Sequence, residues 1–322
     1  MSPQVVTLGE AMLRLSPADR GRLQEAARLD SHVAGAEANV ATALASLGVE
    51  TAWVSALPEN PFGQRVARSL RAAGVDLAHV VWEADARLGL FFIEFGSGSR
   101  PTTVWYDRAG SAFSTMTSFD PAALAGAAYA VTSGITLCLS DQTRQLASSF
   151  LAEAKAAGAA TCIDVNYRER LCSEDQARGF LEPALAEAEV AVCSRRDAAR
   201  VFGVEADEAD ELPAVATAFG EAFAPGATHV VITDGDRGCA ASVGGETFVH
   251  DAVATEVVDK IGAGDAFLAG LLWGLLEDAG VERSLGYACA LGALALTVPG
   301  DQAPFTPDEV RAAVVGKGAL IR

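Results

Sequence analysis

Short runs of apolar and β-branched residues alternate with stretches of helical periodicity along nearly the whole chain. Val5 to Leu8, Thr51 to Leu57, Tyr129 to Ser133, Ala160 to Val165, Val190 to Cys193 and Thr228 to Thr233 read as strands apolar on both faces. Strands of that kind, separated by helices, predict βαβ units and a mostly parallel sheet with helices on both sides. Asp141 to Ala157 brings Leu146, Phe150, Leu151 and Ala154 to one helical face, and Pro61-Phe62-Gly63 opens a helix that stops before Gly74.

Two segments break this rhythm. Ala11 to Val33 and His79 to Tyr106 lack helical spacing and hold strand-like pieces, Leu88 to Phe95 and Thr102 to Tyr106, around a Gly/Ser/Pro turn at Gly96 to Pro101. They are expected to form a small β-sheet standing off the main body; two long irregular loops are the other reading, and loops of that length often cover active sites. No repeat, low-complexity tract or linker divides the chain. One α/β domain spanning 1–322 is therefore expected, with the small sheet inserted as segments at about 11–33 and 79–112.

Composition narrows the function classes. Half of the 322 residues are apolar, enough for a sizeable core. The formal charge is 24 − 42 = −18 with no Lys/Arg run, which speaks against a nucleic-acid partner. The six cysteines, at 138, 162, 172, 193, 239 and 289, form no C-x-x-C pair, and the histidines at 32, 79, 229 and 250 have no metal-ligand spacing. They read as small core residues in a reducing compartment. No secretory signal or membrane-length apolar span is seen, so a cytoplasmic protein with no membrane partner is expected.

The sharpest local feature is Asp259-Lys260-Ile261-Gly262-Ala263-Gly264-Asp265-Ala266-Phe267, followed by an apolar helical run through Leu276. Glycines just before a helix permit a tight turn whose N–H groups face outward, and the helix N-terminus adds positive potential, so the turn suits an anion. An aspartate inside it suits a base that takes a proton from a hydroxyl attacking a bound phosphoryl group. The same string also fits an aspartate that merely caps the helix. A P-loop and the protein-kinase signatures are absent, and Gly9-Glu10-Ala11 after the first strand does not supply a dinucleotide fingerprint.

Gly262-Ala263-Gly264-Asp265 near the C-terminus, Gly35-Ala36-Glu37-Ala38-Asn39-Val40-Ala41 near the N-terminus and Asp164-Val165-Asn166-Tyr167-Arg168 midway together resemble the ribokinase-like (PfkB) carbohydrate kinases. The likeness runs over essentially the whole chain. With Tyr106-Asp107-Arg108-Ala109-Gly110-Ser111-Ala112, it is most similar to the branch that phosphorylates 2-keto-3-deoxygluconate; fructokinase or another sugar kinase of the family is the alternative, and a non-catalytic sugar-binding protein or an NAD-dependent oxidoreductase the reading from another class. The resemblance implies a three-layer sandwich with a small β-sheet lid, ATP and Mg²⁺ as cofactors, a small sugar or sugar acid as acceptor, and a homodimer through the lid.

It also implies roles for particular residues. Asp265 is the base, and the amides of Gly262, Ala263 and Gly264 hold the transferred group. Gly35, Asn39, Phe91, Tyr106, Arg108 and Arg168 fall at sugar contacts, the two arginines suiting a carboxylate. Ser194, Thr233, Gly235, Gly238, Cys289 and Gly292 fall at nucleotide contacts. Asp197 stands in Ser194-Arg195-Arg196-Asp197 where the family carries Asn-x-x-Glu, and is expected to hold magnesium through water. Phe91 occupies a place where this branch often has Tyr, and Lys260 is not the commonest family residue.

Overall fold

The computed structural model describes residues 3–96, 99–204 and 212–316. It begins with β1 (Val5–Leu8), β2 (Met12–Pro17), β3 (Leu29–Ala34), α1 (Ala36–Ser46), β4 (Thr51–Pro58), α2 (Pro61–Ala72) and β5 (Val80–Glu83). There follow β6 (Gly89–Glu94), β7 (Thr103–Asp107), β8 (Tyr129–Ser133), α3 (Gly134–Leu139), α4 (Asp141–Ala156), β9 (Ala160–Asp164) and α5 (Glu174–Ala186). The rest is β10 (Val190–Ser194), α6 (Arg195–Phe202), α7 (Leu212–Phe223), β11 (His229–Thr233), β12 (Cys239–Val243), β13 (Glu246–His250), α8 (Ala263–Leu276), α9 (Val281–Ala295) and α10 (Pro307–Val314).

Nine strands form one sheet in the order β13-β12-β11-β10-β9-β8-β1-β4-β5. From β11 to β5 every neighbouring pair is parallel; at the other edge β12 pairs antiparallel with both β11 and β13. Strands apolar on both faces need cover on both faces, and two apolar layers provide it. One gathers Leu146, Phe150, Leu181, Phe202 and Phe219 from α4 to α7. The other gathers Leu44, Leu268, Leu272, Leu285 and Leu291 from α1, α8 and α9. Helix starts follow local chemistry: the Asn60 side chain accepts from the N–H groups of Phe62 and Gly63 with Pro61 in the first turn, and Ser140 and Thr143 form a reciprocal capping box on α4.

The second sheet has the order β3-β2-β6-β7. Its two hairpins are antiparallel, and β2 and β6 join them in parallel, Arg14 opposite Phe91. One boundary differs from the sequence reading. Val80 to Glu83, inside the 79–112 segment, is an edge strand of the large sheet paired with β4, so the small sheet starts only at Gly89. The alternation of β5 is too short to tell which sheet completes it. Part of the Gly96 to Pro101 turn lies outside the described residues. Among the described residues no helix is long and apolar enough to cross a membrane, and the apolar helix α9 is buried in the core.

Candidate active site

Parallel strands end together on one side of the large sheet, the side where ligands meet such folds. Ser133 of β8 pairs with Asp164 of β9, and Ser194 of β10 with Thr233 of β11, so these four polar residues line one rim. The N-termini of α1 and α8 reach the same region. Gly262, the N-cap of α8, has φ +84, and a Cβ there would stand 2.1 Å from the carbonyl oxygen of Asp301, so only glycine makes this turn without displacing backbone.

Asp265 is buried in the first turn of α8. Asn39 Nδ2 donates to its Oδ2 at 2.7 Å, and Asn166 Nδ2 lies 3.5 Å from its Oδ1 and 3.1 Å from Asp164 Oδ2. Asn166 accepts a left-handed backbone, φ +38, to stand there. Asp265 thus has two side-chain amides as neighbours, and the helix is capped by Gly262. Burial pushes the Asp265 carboxyl up to about 6, opposed by the Asn39 hydrogen bond and the positive charge of Arg168. A base of that pKa is mostly ionised at neutral pH yet still a competent proton acceptor. Turnover is therefore expected to fall as pH drops through about 6, where Asp265 takes up its proton, and a pH profile of kcat measured from about 4.5 to about 8.5 at saturating substrates checks this.

The small sheet brings its expected residues together. Phe91 and Tyr106 pair across β6 and β7 with ring centroids 5.8 Å apart and, with Met12, Ala34 and Val104, form an apolar cluster. Arg108 is buried, its guanidinium 5.6 Å from the Tyr106 ring centre. Its Nε donates to Glu10 Oε2 at 2.8 Å, Nη2 donates to the same oxygen, and Ser111 Oγ donates to Glu10 Oε1. Arg108 therefore already has a carboxylate inside the protein. Gly35, at φ +156, packs so closely that a Cβ would stand 2.1 Å from the Glu10 carbonyl oxygen. Arg168 is different: it is exposed, and its charge acts on Asp164, Asp197 and Asp265 together.

On the other side of Asp265, Ser194 caps α6 by accepting from the Asp197 N–H at 3.0 Å. Gly235 and Gly238 take φ +57 and +86 around the turn after Thr233, and a Cβ on Gly238 would meet the His250 carbonyl oxygen at 2.1 Å. Gly292 lies on α9 with its Cβ direction 3.3 Å from the Ala263 carbonyl oxygen, backing the start of α8. Cys289 is buried with its Sγ 3.6 Å from Cys239 Sγ, a core contact. Burial pushes Asp164 up to about 8, the charge of Asp265 adding to it, and burial also raises Asp197. Among the described residues no group of three or more His, Cys, Asp or Glu is placed to hold a metal ion.

Sequence reasoning gave no individual role to Glu10, Arg14, Glu37, Asp164, Asn166 or Asp301. Glu37 is buried and accepts from Ser133 Oγ and Thr136 Oγ1, each at 2.7 Å, tying α1 to the end of β8; burial raises its carboxyl above the usual range. Arg14 binds Asp259 and Asp301. A charge alternating with Leu13 and Leu15 reads as solvent-facing unless the opposite side of the strand is known to be covered, and that depends on residues far along the chain.

The geometry is a mostly parallel α/β sandwich with a buried aspartate in a Gly-rich helix start, and comparison with known proteins gives its class. The pfkB family carbohydrate kinase model matches residues 2–309, and the chain belongs to that family. It is 40% identical to the 2-dehydro-3-deoxygalactonokinase of Haloferax volcanii, over 100% of this chain and 99% of that one. It is 30% identical to the 2-dehydro-3-deoxygluconokinase of Thermoproteus tenax, over 92% and 89%. The crystal structure of 2-dehydro-3-deoxygluconokinase from Thermotoga maritima superposes with a TM-score of 0.91 at 31% identity, covering 97% of this chain and 99% of that one. The ribokinase-like sandwich and the carbohydrate-kinase class expected from the motifs are thereby established, with ATP as the family's phosphoryl donor.

Proposed function

We propose that this carbohydrate kinase transfers the γ-phosphoryl group of ATP to the terminal hydroxyl of a 2-keto-3-deoxy sugar acid, of the gluconate or galactonate configuration. The observation that carries this is the conjunction of a buried, amide-held Asp265 with an exposed Arg168 whose charge reaches the same pocket. Asp265 takes the hydroxyl proton, the oxygen attacks phosphorus, and ADP leaves; the N–H groups of Gly262 to Gly264 face the charge on the transferred group. Phe91 and Tyr106 supply an apolar wall for the sugar and exclude water that would otherwise take the phosphoryl group.

Two neighbouring carboxylates that burial makes reluctant to ionise, Asp164 and Asp197, suit a hydrated Mg²⁺, whose charge favours their ionised forms. The ion when bound neutralises the phosphate chain of ATP. Ser194, Thr233, Gly235 and Gly238 sit on the same side, and the reading gives them the nucleotide; Cys289 and Gly292 act through packing behind α8. The outer face of the small sheet, opposite Phe91, exposes Leu29 and Trp105, which supports a homodimer through that sheet. Six free thiols, five of them buried, fit a cytoplasmic location.

The test is ADP release over a panel of 2-keto-3-deoxygluconate, 2-keto-3-deoxygalactonate, fructose and ribose. A keto-deoxy acid should be preferred; preference for fructose or ribose overturns the assignment. Arginine variants locate the carboxylate. Arg168→Ala is expected to lower kcat/KM for the acid by about tenfold to a hundredfold, the worth of a charge-assisted hydrogen bond, with a much smaller effect on any residual neutral-sugar turnover. Arg108→Ala is expected to act on acidic and neutral sugars alike, because it leaves Glu10 buried without its cation, a loss of about 3 to 5 kcal/mol of stability.

A further inference from the structure

Arg14 shares the face of the small sheet that carries Met12, Ala34, Phe91 and Tyr106. Its guanidinium passes the end of β6, 5.5 Å from the Phe95 ring centre, and reaches out of the sheet. Nη2 donates to Asp259 Oδ2 at 2.7 Å and Nη1 stands 2.8 Å from Asp301 Oδ1, with all three side chains at most 2% exposed. Asp259 also accepts from the N–H of Ile261 at 3.1 Å and of Gly300 at 3.2 Å, and the Asp301 carbonyl oxygen is the atom against which Gly262 packs. The turn from 259 to 264 is thus shaped by two acids that share one cation, and the small sheet supplies it. Arg14 and Arg108 are the only buried cations among the described residues, and Arg108 is engaged by Glu10.

Stability alone does not account for this arrangement. Burying an arginine between two aspartates carries a desolvation cost that packed apolar side chains would avoid. What the triad does that apolar packing does not is fix direction: a guanidinium hydrogen-bonded to Asp259 and ion-paired with Asp301 fixes the distance between β2 and the turn. We propose that Arg14 is a positioning residue that holds the phosphate-binding turn in shape only while the small sheet is seated, so that the sugar-facing surface and the anion hole are set together. This rests on the reading of that turn as the phosphate site.

Arg14→Lys keeps the charge but loses the fork. Its kcat with 2-keto-3-deoxygluconate and ATP is expected to fall about tenfold to a hundredfold, as for a small misplacement of reacting groups, while titrated Kd values for the sugar acid and for ATP stay within about threefold. Asp259→Asn should give a similar loss, and the double variant should be no worse than about the poorer single one, because both disturb the same contact. Melting is followed in parallel, and rates are compared at equal distances below each Tm. Arg14→Lys turning over within about threefold of the parent overturns the proposal, as does a loss confined to the sugar KM, multiplying losses in the double variant, or a deficit that vanishes once Tm is matched. Asp265→Asn separates the two levels of the argument. Full turnover in that variant removes the reading of the turn itself, whereas an inactive Asp265→Asn beside an unimpaired Arg14→Lys removes only the role of Arg14.

Discussion

Asp265→Asn is expected to lower kcat by about 10² to 10⁴, the usual consequence of removing a positioned base, with ATP affinity retained. The amide matches the carboxylate in shape and cannot accept the hydroxyl proton. Stability should move in the other direction or not at all. Burial raises this carboxyl from its ordinary value to about 6, so the fold is less favourable with Asp265 ionised, above that pH, than with it protonated. A neutral side chain at pH 7 removes that penalty, although the Asn39 amide must then find a new orientation. Single-turnover kinetics and thermal unfolding on the same preparation decide the matter: an inactive protein with an unchanged or higher Tm fits a catalytic base, whereas near-normal turnover makes Asp265 a packing residue.

Gly262→Ala is expected to lower kcat by about a hundredfold or more, comparable with losing a preorganised donor to a developing anion. At φ +84 a side chain is strained, and the added carbon would stand 2.1 Å from the Asp301 carbonyl oxygen, which belongs to backbone and cannot turn aside. The turn must move, and its N–H groups move with it. Gly264→Ala is the internal control, since a Cβ there meets nothing within 4 Å. Its fold and Tm should match the parent, and whatever activity it loses comes from a methyl group entering the site. Equal Tm and equal kcat for Gly262→Ala and the parent would show that the turn tolerates another shape.

The large sheet was legible because its strands are apolar on both faces and their helices carry local start signals, as at Asn60-Pro61 and Ser140. Asp265 was legible for a similar reason: glycine spacing and helix onset are local properties. The environment of Arg108 was not. A guanidinium near a sugar pocket reads as a ligand for a substrate carboxylate until Glu10, two residues beyond β1, is seen bound to it. Val80 to Glu83 went to the wrong sheet in the segment boundaries because pairing with β4 is decided by tertiary contacts, which a four-residue run does not encode. Arg14, Asp259 and Asp301 are each unremarkable in their own surroundings, and only the fold makes them one group.

The same triad bears on how the chain reaches its native state. Arg14 and Asp259 are 245 positions apart. During synthesis β2 emerges early, and the acids that compensate its guanidinium are supplied only near the other end. Desolvating that cation beforehand would be unfavourable, so β2 and its partners in the small sheet should stay hydrated and loosely paired while the βαβ layers between them consolidate from more local contacts. Ordering of the sugar-facing surface then coincides with arrival of the C-terminal turn, and a chain interrupted before Asp259 would lack both the acids that settle the small sheet and the α8 and α9 cover on one face of the large one.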